Sequence, residues 1–88
     1  MTVFRRNSRI ESAPFENESI LFNPETKQFV KLNRTTAIIW GRLDNGATAD
    51  DIAAILCDSF KGIVPEQAKE DAGAALSEML RLGLVTQA

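Results

Sequence analysis

The chain is predicted to be an α+β domain, a three-stranded antiparallel sheet followed by three helices. Three observations carry this. Two short runs rich in strand-forming residues, Ser19-Ile20-Leu21-Phe22 and Phe29-Val30-Lys31-Leu32, flank a proline-containing turn. Beyond Asn33 the apolar residues recur at steps of three and four, the helical period. That pattern is broken near Gly46 and again near Gly62, which divides it into three segments.

The first eight residues read as a flexible polar arm, with Arg5, Arg6, Asn7 and Ser8 together, and the folded domain is expected to span residues 9–88. A first strand is expected from Arg9 through Ile10 to about Ala13, with Pro14 interrupting it or marking a sheet edge. The hairpin follows. Asn23 suits the first position of a turn and Pro24 the second, where its fixed φ fits, so a four- or five-residue connection is expected. Asn33 can cap a helix through its side-chain oxygen, and Ile39, Trp40 and Leu43 follow at helical spacing with Thr36 on the same side. Trp40 reads as a core residue.

Thr48-Ala49-Asp50-Asp51 opens the second helix as a near capping box, with Asp in the place of Glu. Ile52, Ile55, Leu56 and Phe60 form its buried stripe. Pro65 fits the first position of the third helix, where Ala68, Ala72, Ala75 and Met79 share one face, assigned to the core. Gly83 stops that helix, and Leu84 can fold back onto Met79 in a Schellman ending. Strands first and three short helices after them fit a small winged-helix arrangement, in which the helices cover one sheet face and supply the core.

Composition excludes several classes. Of the 88 residues 44% are hydrophobic and 25% charged, which is globular rather than disordered. No apolar stretch is long enough to span a membrane, and no membrane partner is expected. Histidine is absent and Cys57 is the single cysteine, so no zinc or iron–sulfur ligand set exists and no metal or cofactor is expected. A lone thiol fits a reducing, cytoplasmic setting and reads as a small buried hydrophobe. Phosphate-binding glycine loops and Ser-His-Asp sets are missing, so no enzymatic activity is expected. Residues 1–42 carry seven basic and four acidic groups, residues 43–88 three basic and eight acidic. The acidic second half argues against a nucleic-acid surface there.

The run from Glu18 to Asn33, ESILFNPETKQFVKLN, resembles the hairpin of the PqqD-like family, the peptide-recognition elements of ribosomally synthesised and modified peptides. The resemblance continues through Thr36-Ala37-Ile38-Ile39-Trp40, Leu43-Asp44-Asn45-Gly46, Thr48 and Asp51-Ile52-Ala53 to Asp71 and Leu82-Gly83-Leu84-Val85. It covers about residues 10–86. One departure is the small-residue run Ala72-Gly73-Ala74-Ala75 in the third helix, where the family favours larger apolar groups. The resemblance to the pyrroloquinoline-quinone member that names the family is not close, and that pathway is not assigned.

The resemblance implies a winged-helix domain that binds the leader segment of a precursor peptide. The leader would add as a strand against the last strand of the sheet, beside the third helix. The domain would then present it to a maturation enzyme, such as a radical SAM enzyme or a leader peptidase or cyclase. The physics of an edge strand agrees, because its unpaired main-chain groups can accept an extended peptide. The expected peptide-binding residues are Lys27 at the end of the turn, Gln28, Phe29, Val30, Lys31 and Leu32 on the strand, and Lys69, Gly73, Leu76 and Leu80 along one shoulder of the third helix. Such an edge also offers a route to weak homodimerisation. The alternative is a winged-helix DNA-binding or regulatory module, which the third helix disfavours by setting Glu66, Glu70, Asp71 and Glu78 against Lys69 and Arg81.

Overall fold

The structure is a computed structural model, and it describes residues 2–15 and 18–87. The elements run β1 (Phe4–Arg6), β2 (Glu11–Phe15), β3 (Glu18–Asn23), β4 (Gln28–Leu32), α1 (Arg34–Gly41), α2 (Ala49–Ser59), α3 (Pro65–Arg81) and β5 (Val85–Gln87). β2, β3 and β4 form an antiparallel meander in that order, and the three helices follow. This is the expected α+β architecture.

Local chemistry explains the hairpin turn, the helix starts and the end of α3. In the hairpin, Asn23 Oδ1 accepts from the Glu25 N–H at 3.0 Å, and the Asn23 carbonyl accepts from the Lys27 N–H at 2.7 Å. Asn33 caps α1, its Oδ1 accepting from the Thr36 N–H at 2.8 Å. Thr48 and Asp51 close a reciprocal capping box on α2. Pro65 opens α3. The end of α3 is a Schellman turn. Gly83 sits at φ 75°, its N–H donating to the Leu80 carbonyl, while the Leu84 N–H donates to that of Met79.

The core joins one face of the meander to all three helices. Leu21 and Leu32 come from the sheet, Ile39 and Trp40 from α1, Ile52, Ala53 and Leu56 from α2, and Ala68, Ala72, Leu76 and Met79 from α3. The expected stripe on α2 holds for Ile52 and Leu56, while Ile55 and Phe60 are half-buried around it. On α3 the buried set differs by one residue from the expectation. Leu76 is 1% exposed, whereas Ala75 is half-buried. The two positions are 100° apart on the helix, and burying the larger side chain removes more apolar surface from water.

The N-terminal segment departs from the expectation. Residues 2–8 are not a loose arm. β1 pairs antiparallel with β5, Arg6 opposite Val85, and Phe4 is buried. Phe4 and Ala47 also exchange main-chain hydrogen bonds. Arg6 donates from Nε and Nη2 to the Trp40 carbonyl at 2.8 and 2.6 Å, and its guanidinium lies over the Trp40 ring at 4.8 Å. The first strand of the meander likewise lies later than expected, at Glu11–Phe15 rather than residues 9–13. Pro14 falls within it, which an outer strand tolerates.

Candidate functional site

β4 is the last strand of the meander. Its side chains alternate. Leu32 is buried and Val30 half-buried, both packed toward the core, while Phe29 is 73% exposed. Gln28, Lys31 and the preceding Lys27 are also exposed. The strand therefore offers a main-chain edge with one apolar face turned toward the helices.

Beside that edge lies a groove of about 260 Å³. Val30, Lys31 and Leu32 form one wall, and Ala75, Glu78, Met79 and Leu82 of α3 and its C-terminal turn form the other. Asn33 and Thr36 line it at the start of α1, and Leu84 also contributes. The Asn33 oxygen is already committed to the α1 cap, since it accepts from both the N–H and the hydroxyl of Thr36. The lining is mainly apolar with charge supplied by Lys31 and Glu78, which suits a ligand held by main-chain pairing and apolar anchors. The Arg81 guanidinium hydrogen-bonds both Glu78 carboxylate oxygens. That hydrogen bond, with the guanidinium charge, holds the Glu78 carboxyl below its ordinary pKa.

The expected strand residues and the expected helix residues fare differently. Val30, Lys31 and Leu32 line the groove, and Gln28 and Phe29 continue the same strand. Lys69, Gly73, Leu76 and Leu80 are absent from the lining. Leu76 lies in the core, Lys69 is exposed, Gly73 has open space where a side chain would begin, and Leu80 packs half-buried against the core. Besides the core residue Met79, the groove is lined by Ala75 and Glu78 of α3 and by its C-cap Leu82, which follow a different three- and four-residue track. That track runs along the other side of the buried stripe. The signal that separates the two flanks is Leu76, whose bulk fixes the phase of a helix otherwise dominated by alanine.

Among the described residues no group of His, Cys, Asp and Glu side chains could hold a metal ion, and no helix is long and apolar enough to cross a membrane. Cys57 is a free, half-buried thiol. Of the N-terminal arginines, Arg6 is engaged with Trp40, and Arg9 forms an exposed ion pair with Glu25 at 2.9 Å.

Fold and site together define a small winged-helix domain with an open sheet edge beside an apolar groove. The sequence matches the family described as "Coenzyme PQQ synthesis protein D (PqqD)" over residues 18–85, and the chain belongs to that family. Two solved structures share the fold. "Lasso peptide synthetase B1 complexed with the leader peptide" superposes with a TM-score of 0.81 at 24% identity, covering 94% of this chain and 96% of the other. "TbiB1 in Complex with the TbiA(beta) Leader Peptide" gives 0.82 at 18% identity, covering 92% and 93%. A search of the curated proteins finds no match.

Proposed function

We propose that this chain is a peptide-recognition domain that binds the leader segment of a ribosomally made precursor peptide and performs no chemistry on it. The observation that carries the reading is the sheet edge at Gln28–Leu32 lying directly beside the apolar groove on α3. Strand addition to the edge supplies register, and the groove selects alternate side chains of the added strand. Both solved relatives are complexes with a leader peptide, which supports the same occupant here. The peptide-binding residues are Lys27, Gln28, Phe29, Val30, Lys31 and Leu32. On α3 the geometry favours Ala75, Glu78, Met79 and Leu82 over Lys69, Gly73, Leu76 and Leu80.

The domain then hands the bound precursor to a separate maturation enzyme in the cytoplasm. A radical SAM enzyme, or a leader peptidase or cyclase, is the class that needs such a presenter. The same edge supports weak self-pairing, which bound leader displaces.

The test is titration of the purified chain with the leader segment of a short precursor encoded beside it, followed calorimetrically. Saturable binding with no mass change in the peptide supports the reading. A mass change produced by this chain alone contradicts it. So does tight, salt-sensitive binding of duplex DNA with no peptide affinity.

A further inference from the structure

The groove leaves one feature of β4 unexplained. Phe29 is 73% exposed, on the face opposite Val30 and Leu32. The register sets Phe22 directly across from it, and the two rings meet with centroids 4.8 Å apart and planes tilted by 44°. Ile20, two residues along β3, shares that face and is half-buried. An edge strand kept only for main-chain pairing is best guarded by charged or polar side chains. Here the edge carries a large aromatic ring pointing away from the groove.

We infer that the docked peptide is read on both of its faces; this rests on the strand-addition reading above. Its groove-facing side chains enter the space between β4 and α3. An intervening side chain, pointing to the other face, packs on Phe29. Residues opposite one another on paired strands have Cβ atoms about 4.5–5.5 Å apart, close enough for aromatic and β-branched side chains to pack. A docked strand thus continues the ladder that Phe22 and Phe29 begin, and Phe29 changes from an edge ring to a central one. The ligand class follows from this. It is a segment with apolar groove-facing residues and an aromatic or β-branched residue between them, giving a nearly continuous apolar run. A strand read by the groove alone would alternate apolar with polar.

The experiment is selection of a displayed random short-peptide library on the wild-type chain and on Phe29→Ser, with affinities of the selected peptides measured by fluorescence anisotropy. Wild-type selections are expected to carry an aromatic or β-branched residue at the outward position. Phe29→Ser should bind them roughly two- to fivefold more weakly, with Phe29→Leu in between. Serine at the peptide's outward position should weaken wild-type binding by a similar factor and have little further effect on Phe29→Ser. The Phe22 contact is lost as well, so the variants are expected to melt a few degrees below wild type, and binding compared well below that temperature separates lost contact from lost fold. Equal affinities for wild type and Phe29→Ser, with no outward preference, overturn two-faced reading while leaving strand addition intact. Failure to select any peptide that competes for the β4 edge overturns strand addition and this inference together.

Discussion

Asn23 and Leu82 are joined across the molecule. The Asn23 Nδ2 donates to the Leu82 carbonyl oxygen at 3.4 Å, linking the β3–β4 turn to the residue that ends α3. Asn23 is 3% exposed, the one buried polar side chain among the described residues. From the other side, Asn7 Nδ2 donates to the Gly83 carbonyl at 3.0 Å. The two asparagines tie the end of α3 to the β3–β4 turn and to the segment after β1, and Leu82 is part of the groove wall.

Asn23→Ala removes both the link to Leu82 and the acceptor for the Glu25 N–H. The expected loss is about 1–3 kcal/mol of stability, since buried polar groups lose their partners. Chemical denaturation of wild type and variant, compared at equal slope, measures it. An unchanged midpoint contradicts the assignment.

The groove wall separates two substitutions that the small-residue run alone would treat alike. Ala75→Leu fills the groove and should weaken peptide binding by roughly tenfold or more, equivalent to about 1.4 kcal/mol. Gly73→Ala lies outside the lining, with open space around the new methyl. It should raise stability by up to about 0.8–1 kcal/mol through helix propensity and leave affinity unchanged. Calorimetric titration of both variants with one peptide checks the pair.

Arg6 is a structural residue. Arg6→Met keeps the apolar stem but removes both donors to the Trp40 carbonyl and the charge over its ring. The expected destabilisation is about 1–3 kcal/mol, or several degrees in Tm for a domain this size. Thermal unfolding followed by Trp40 fluorescence reads it. An unchanged Tm would return the N-terminal residues to the status of a dispensable arm.

The Glu78–Arg81 pair gives a pH-dependent term. The folded-state pKa of Glu78 is lowered, first by the hydrogen bond from Arg81. Its contribution is therefore present above the ordinary glutamate pKa and is lost as pH falls through the lowered one. Both side chains are well exposed, so the term is small and salt-sensitive. The Tm difference between wild type and Glu78→Gln should shrink toward zero as melts are taken from neutral pH into the acid range. A difference independent of pH contradicts the pairing.

Much of this fold is written in local chemistry. Asn33, Thr48 with Asp51, Pro65 and Gly83 each act within a few residues of themselves, so their caps and stops are legible without tertiary information. The hairpin is legible for the same reason. The β1–β5 pairing is not, because Phe4–Arg6 and Val85–Gln87 are too short to show a period and meet only through closure of the whole chain. The edge position of β4 was legible, since it is the last strand before the helices. Which flank of α3 lines the groove was not. Ala68, Ala72 and Met79 leave the phase of α3 uncertain by one residue, and the choice between Ala75 and Leu76 places the groove on one flank or the other.

Whether a peptide strand adds to β4 beside α3 is read out by amide chemical-shift mapping. The ¹⁵N-labelled chain is titrated with the leader segment used for calorimetry. Strand addition should concentrate shifts on Gln28–Leu32, Asn33, Thr36, Ala75, Glu78, Met79 and Leu82, with cross-strand contacts between peptide and β4. Shifts confined to α2, with β4 and the Ala75–Leu82 flank unmoved, would contradict it even if the peptide binds tightly.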